Sequence, residues 1–147
     1  MLLDLDKFEA GRTAAIDSDG NALSYGQIIS LGEMIRSVVP SRSLVCVLTE
    51  NNVGGIAWVM ASILSLILNA HTDRDLLDRL TDTYRPQYIC GPSFDADKGA
   101  VLMREYGYTF QVTGAEAPDL HPDLSHLLPT SGSTGSPKLV RHMYKNI

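Results

Sequence analysis

The sequence contains few of the residues that define several common protein classes. Its 147 residues include 2 cysteines, and its 12 lysines and arginines are outnumbered by 17 aspartates and glutamates. Cys46 and Cys90 cannot build a disulfide framework, and their strand-like apolar surroundings predict buried thiols in a reducing compartment. The net charge of −5 and the scattered basic residues disfavour a broad nucleic-acid surface, because a phosphate backbone recruits Lys and Arg.

Long apolar runs and targeting signals are also missing. The longest apolar stretch, 56–68, contains two serines and is shorter than the ~20 residues that span a bilayer. Asp4 and Asp6 stand where a signal peptide carries positive charge. These absences predict a cytoplasmic protein with no membrane span. The composition, 44% hydrophobic and 20% charged, predicts a folded globular chain.

The order of local signals predicts an α/β fold. Asp19-Gly20 between short apolar segments predicts an N-terminal β-hairpin, and Ser24 with Gln27 fits a capping box for a helix over 25–38. Strands are predicted over 43–49, 68–71, 87–90, 108–113 and 124–128. Further helices are predicted from Asn51 or Asn52 to about 68, over 74–84 after the N-cap Asp73, near 98–106, and from 139 onward. This alternation predicts a mostly parallel sheet flanked by helices.

The segment 129–138 carries the strongest chemical signal. It reads Pro-Thr-Ser-Gly-Ser-Thr-Gly-Ser-Pro-Lys, and its glycines let backbone N–H groups converge on one point. Four hydroxyls and the Lys138 ammonium add donors, and the predicted following helix would direct its positive end at the ligand. The segment therefore predicts a polyphosphate site, although its spacing differs from the Walker A and G-x-G-x-x-G patterns. A flexible Gly/Ser linker is the alternative interpretation.

From 130 to 138 the sequence resembles the phosphate loop of the adenylate-forming enzymes. This family includes acyl-CoA synthetases, adenylation domains of nonribosomal peptide synthetases, and firefly luciferase. Its loop reads roughly T-S-G-[ST]-T-G-x-P-K-G, followed by an asparagine eight residues after the lysine, and Asn146 stands at that offset. Leu23-Ser24-Tyr25 is similar to the family's early L-[ST]-Y-x-x-L segment. The sequence departs from the pattern at Leu139, in place of glycine, and at Tyr144, where many members have histidine.

The resemblance implies a two-step reaction. A carboxylic acid attacks the α-phosphate of Mg²⁺-ATP to give an acyl-adenylate and pyrophosphate, and the thiol of coenzyme A or of a carrier protein then takes the acyl group. The implied phosphate-binding residues are Thr130, Ser131, Gly132, Ser133, Thr134, Gly135 and Lys138. Residues 131–135 would hold the β- and γ-phosphates, and Lys138 would neutralise the departing pyrophosphate. Thr130 and Thr134 would lend hydroxyls to the phosphates or, indirectly, to Mg²⁺. The resemblance implies no catalytic residue and no metal ligand in this chain.

The resemblance also implies a domain assignment. Residues 1–147 would be the N-terminal portion of the large adenylation domain, ending just after the phosphate loop (129–138). The family's remaining machinery lies downstream of that loop, so we expect the parent protein to be an AMP-forming acid–thiol ligase and the isolated chain to be inactive. A sheet cut in this way would expose an edge, so we expect self-association. The alternative is a stand-alone, non-catalytic module that binds a nucleotide or another anion, or a partner protein.

The other polar residues predict structural roles. Asp17 and Asp19 are expected to shape the hairpin turn. The four histidines, His71, His121, His126 and His142, show no metal-ligand spacing. The aspartates of the predicted 74–84 helix are interleaved with Arg74 and Arg79, which predicts a solvated face.

Overall fold

A seven-stranded sheet and a separate two-stranded hairpin form the framework of the computed structural model. The structure describes residues 4–62, 64–93, 97, 99–116, 118–130 and 138–146. The strands are β1 Thr13–Ile16, β2 Ala22–Ser24, β3 Val45–Thr49, β4 Ser65–Asn69, β5 Tyr88–Gly91, β6 Ala100–Glu105, β7 Tyr108–Val112, β8 Leu124–Pro129 and β9 Leu139–Met143. The helices are α1 Tyr25–Val38, α2 Val53–Ala61 and α3 Arg74–Tyr84, with short 3-10 helices at Leu5–Lys7 and Tyr144–Asn146.

The large sheet has a parallel centre and antiparallel edges. Its strand order is β6-β7-β5-β3-β4-β8-β9, and the four central strands β5, β3, β4 and β8 run parallel. The outer strands β7, β6 and β9 pair antiparallel. The chain moves from β3 through α2 to β4 and then returns past β3 through α3 to β5. Because such crossovers are right-handed, this reversal places α2 and α3 on opposite faces of the sheet.

Alternate side chains of the central strands fill two hydrophobic cores, one on each face. Val47 packs in the core that contains Trp58 of α2, whereas its neighbour Cys46 packs in the core that contains Leu80 of α3. Cys46 and Cys90 are both fully buried, as the sequence predicts. The predicted α/β fold, with a helix-flanked sheet and an N-terminal hairpin, is confirmed.

The predicted helix ends are confirmed where a polar cap marks them. At the start of α1, Gln27 N–H donates to Ser24 Oγ at 3.2 Å and Ser24 N–H donates to Gln27 Oε1 at 2.8 Å. This reciprocal pair satisfies two donors that a helix start leaves open. Asp73 caps α3 through the backbone N–H of Asp75. Helices α1 and α3 span the predicted residues 25–38 and 74–84.

The second helix is shorter than predicted. It begins after its cap Asn52, which accepts from Gly55 N–H at 2.8 Å, but it ends at Ala61 rather than near 68. Residues 65–69 form β4, which pairs residue by residue with β3. An apolar run fits a buried strand and a buried helix equally well by periodicity, so pairing with β3 decides the outcome.

Two predicted helices are strands. Within the predicted 98–106 helix, residues 100–105 form β6, which turns into β7 at Tyr106 and Gly107, where φ is +52° and +76°. Positive φ at both turn residues is typical of a type I′ hairpin turn, whose twist suits antiparallel strands. The segment from 139 onward forms β9 against β8 and then a short 3-10 helix. In the described parts of the chain, no helix combines the length and apolar character needed to cross a membrane.

Candidate functional site

The carboxyl ends of the central parallel strands meet at one edge of the sheet. Glu50 follows β3, Ala70 follows β4 and Thr130 follows β8. The backbone here is tied together, since Ala70 N–H donates to the carbonyl of Thr49 at 2.8 Å. Open α/β sheets bind ligands outside the carboxyl ends of their strands, close to where the strand order reverses. This edge is therefore the candidate site, and we call it the carboxyl edge.

The predicted phosphate loop starts and ends on this edge. Antiparallel pairing of β8 with β9 continues to Pro129 and Leu139. One residue further, Thr130 N–H and Thr130 Oγ1 both donate to the carbonyl oxygen of Lys138, at 2.9 and 3.0 Å. The structure thus brings two of the predicted site residues together, both exposed to solvent. The other five, Ser131, Gly132, Ser133, Thr134 and Gly135, lie outside the described residues.

The element after the loop changes the electrostatics of the site. The sequence predicts a helix there, and that prediction is wrong, because β9 follows the loop directly. A strand has no macrodipole comparable to that of a helix. On the described residues that follow Lys138, the only helix is the three-residue 3-10 helix Tyr144–Asn146, which lies beyond β9.

The hairpin that carries the loop has its own charge balance. Residues 124–147 contain no aspartate or glutamate, whereas Lys138, Arg141 and Lys145 are cationic. The whole chain has a net charge of −5, which hides this local excess of positive charge. A count of charged residues over 124–147 alone would have given a second signal in the sequence for the predicted anion site, independent of the loop motif.

A cavity of about 310 Å³ opens at the carboxyl end of β3. It is lined by Thr49, Glu50, Gly55, Ile56, Val59 and Met60. Pockets for small molecules are typically apolar clefts of ~300–1,000 Å³ with few polar groups. A lining of three apolar side chains, one glycine, one hydroxyl and one carboxylate fits that description. No motif in the sequence marks this cavity, because its residues come from the end of β3 and one face of α2.

A hydrogen-bond network holds the wall of this cavity. The hydroxyl of Tyr108 accepts from Glu50 N–H at 2.9 Å and donates to Asn52 Oδ1 at 3.2 Å. Asn52 Nδ2 in turn donates to the Glu50 carboxylate at 3.0 Å. Burial raises the pKa of Tyr108, so the phenol stays protonated and able to donate at neutral pH. The network fixes the start of α2 relative to the end of β3.

Asp17 extends this anchoring to the N-terminal hairpin. Its carboxylate accepts from the backbone N–H groups of Asp19 and Asn21 at 3.1 and 2.9 Å. It also accepts from Val53 N–H, at the first residue of α2, at 3.3 Å. The hydrogen bonds from Asn21 are the main cause that lowers the pKa of Asp17. The predicted turn role is confirmed, and the contact with α2 is an addition that spacing in the sequence could not show.

Two of the four histidines form a pair across β8 and β9. His126 of β8 and His142 of β9 are direct cross-strand partners, with ring centroids 4.7 Å apart and ring planes inclined by 10°. Ser125 Oγ lies 2.6 Å from His126 Nδ1. Burial, followed by the charge of His142, lowers the pKa of His126. Among the residues that the structure describes, no group of three or more His, Cys, Asp or Glu side chains could hold a metal ion.

Comparisons with known proteins bear on the fold. The sequence matches no protein-family model and no curated protein. Among solved structures, o-succinylbenzoate coenzyme A synthetase (MenE) from Bacillus subtilis in complex with AMP superimposes with a TM-score of 0.63 at 17% identity, over 97% of this chain and 41% of that one. The Klebsiella oxytoca NpsA N-terminal subdomain in complex with 3-hydroxyanthranilyl-AMSN gives a TM-score of 0.64 at 17% identity, over 97% and 39%.

A third similar structure is the luciferase-like enzyme from the mealworm Zophobas morio. Its TM-score is 0.61 at 16% identity, over 96% of this chain and 41% of that one. The chain thus spans about two fifths of the length of these structures. The resemblance drawn from the loop sequence is confirmed as a shared fold: this chain has the fold of part of the adenylate-forming enzymes.

Proposed function

We propose that this chain forms the phosphate-binding part of an ATP-dependent ligase that activates carboxylic acids. The observation that carries the proposal is the junction of Thr130 with Lys138 at the carboxyl edge. There the family-like loop sequence 130–138 leaves and re-enters the sheet, in a segment without acidic residues. A shared fold at 16–17% identity leaves the chemistry to be argued from this site.

In the proposed reaction, a carboxylate and ATP give an acyl-adenylate and pyrophosphate, and a thiol of coenzyme A or a carrier protein then accepts the acyl group. The contribution of this chain is positioning and charge stabilisation, which supply most of the catalysis in such transfers. Residues 131–135 would bind the β- and γ-phosphates through backbone N–H groups and hydroxyls. Lys138 would offset the charge that develops on the departing pyrophosphate.

The exposed Lys138 and the acid-free hairpin fit a polyphosphate ligand. They offer no carboxylate cluster for Mg²⁺, and we assign that ion no ligand among the described residues. We also propose that residues 1–147 correspond to the N-terminal portion of the large adenylation domain. Other segments would then supply the adenine and acid sites, and the chain by itself would not adenylate an acid. The two buried cysteines suit a cytoplasmic setting.

Ligand titration tests the proposal. Pyrophosphate and ATP should each bind saturably in calorimetry, and Lys138→Ala should weaken binding by about tenfold or more, as expected for the loss of a charged hydrogen-bond donor. Lys145→Ala is the matched control, since it removes one positive charge from the same segment beyond β9 and should cost less than about twofold. Equal losses of affinity in both variants would show that the ligand is held only by nonspecific electrostatic attraction to this segment. An absence of saturable binding at millimolar ligand would refute the proposal.

A separate assay tests the expected inactivity. ATP–pyrophosphate exchange should stay at background when the purified chain is given a panel of carboxylic acids. Exchange above background, abolished by Lys138→Ala, would show that the chain carries a complete adenylation site and would overturn that part of the proposal.

A stand-alone anion-binding module is the second candidate. It is favoured by the way the described residues complete two cores and leave no buried side-chain polar atom without a partner among them. Such a module would bind ATP and would show no ATP–pyrophosphate exchange, even when other proteins of the cell are added.

Either candidate leaves β6 and β9 as the outer strands of the sheet, so we propose self-association through these edges. Light scattering that shows a monomer up to high concentration would contradict self-association.

A further inference from the structure

We infer that Thr130 is a positioning residue for Lys138 and does not itself bind phosphate. The inference rests on the proposed function, in which Lys138 contacts the polyphosphate. It revises the simplest interpretation of the loop motif, where every hydroxyl is a potential phosphate donor.

The hydroxyl of Thr130 has a single hydrogen to donate. A hydroxyl has one O–H donor and two acceptor lone pairs, and phosphate oxygens at neutral pH need donors. In this structure Thr130 Oγ1 donates its hydrogen to the Lys138 carbonyl at 3.0 Å. A phosphate contact would require this bond to break, which offsets part of the gain.

The same carbonyl also accepts the Thr130 backbone N–H at 2.9 Å. Two donors from one residue therefore occupy both lone pairs of the Lys138 oxygen. This fixes the peptide plane that follows Lys138 and hence the direction in which its side chain leaves the backbone. The double contact extends the pairing of β8 and β9 by one residue beyond Pro129 and Leu139, to the point where the loop begins.

Preorganisation is the functional consequence. A lysine on a fixed backbone loses less freedom when it binds an anion than one on a mobile strand end. Thr130 would then contribute to affinity only through the Lys138 ammonium. A direct phosphate ligand, by contrast, would contribute whether or not that ammonium is present. The two roles therefore differ in how the effects of substitutions combine.

A double-mutant cycle with pyrophosphate as the probe separates these roles. Thr130→Val should weaken binding about three- to tenfold, the usual range for one hydrogen bond, and Thr130→Ser should restore it. In the Lys138→Ala background, Thr130→Val should change affinity by less than about 1.5-fold. The same loss in both backgrounds would overturn the inference. Thr83→Val, which removes a hydroxyl bonded to the carbonyl of Arg79 in α3, is the control and should leave binding unchanged.

Hydrogen exchange of the ligand-free chain provides a second test that does not depend on binding. Thr130→Val should speed exchange of backbone amides at the loop end of β8 and β9 several-fold, with protection regained in Thr130→Ser. Unchanged exchange would overturn the inference even if pyrophosphate binds. If the wild-type chain binds no pyrophosphate while exchange responds as expected, the proposed function fails and the contact between Thr130 and Lys138 stands.

Discussion

Gly54 gives the sharpest test of how the candidate site is built. It lies buried in the first turn of α2, against the turn between β6 and β7. A Cβ placed there would come within 2.7 Å of Tyr108 Cε2 and would overlap the carbonyl oxygen of Tyr106. Neither neighbour can move aside easily. Tyr106 lies in a hairpin turn at positive φ, and Tyr108 is 2% exposed, with its hydroxyl accepting from Glu50 N–H.

Two opposing terms set the size of the effect. Alanine is a better helix former than glycine by up to ~1 kcal/mol, although less is gained in a first turn. Overpacking costs typically ~1–3 kcal/mol, and the upper end applies where backbone must shift. We expect Gly54→Ala to lower the free energy of unfolding by about 2 kcal/mol. For a chain of this size, that corresponds to a melting temperature lower by roughly 4–8 °C.

Urea and thermal unfolding followed by circular dichroism would measure this difference. Gly11→Ala is the matched control, because no heavy atom lies within 4 Å of its added Cβ. At a compatible backbone conformation, such a change leaves stability equal or raises it by up to ~1 kcal/mol. If Gly54→Ala were as stable as Gly11→Ala, the described packing of α2 on the β6–β7 turn would be refuted.

Three further predictions follow from the described contacts. Because burial and the nearby His142 lower the pKa of His126, the native state favours its neutral form, so stability should be full well above pH ~6.5 and fall as the pH drops through that value. His126→Gln should flatten this part of a stability–pH curve measured in urea, and an unchanged slope would contradict the assignment. Burial raises the pKa of the Cys90 thiol, and Cys46 is fully buried. A thiol reagent should therefore label neither cysteine in buffer and both in denaturant. Rapid labelling of the native chain would contradict this prediction. Ser24→Ala removes one half of the α1 capping box and should cost about 1 kcal/mol in urea unfolding, so a loss below ~0.3 kcal/mol would show that the cap is dispensable.

Local signals in the sequence predicted the elements that carry their own boundary markers. Helices α1 and α3 begin at Ser24 and Asp73, whose side chains accept backbone N–H groups in the structure. The α/β alternation followed from these elements and from the continuous apolar strand β3. In each case the residues that decide the structure lie within a few positions of one another, so the sequence alone is informative.

The errors lie where distant pairing decides the structure. Residues 100–105 and 139–143 are strands because β7 and β8 provide partners for them, and their periodicity alone fits either state. The hydrogen-bond network at the wall of the cavity beside Glu50 could not be predicted for the same reason, because Tyr108 of β7 completes it. Sequence spacing cannot show that residues 58 positions apart in the chain are hydrogen-bonded.

The replacement of the predicted helix by β9 alters how the proposed site must work. A loop that leads into a helix shares the phosphate charge with the partial positive charge of the helix end, an effect worth ~0.3–1 kcal/mol and up to ~2 in favourable cases. In this chain strand β9 follows Lys138 directly, so no helix end lies next to the lysine to make that contribution. In the proposed site, Lys138 would then carry a larger share of the electrostatic stabilisation, and its backbone position would matter more. This is why the contact from Thr130 to the Lys138 carbonyl, which a helix-capping loop would not need, gains importance in a hairpin.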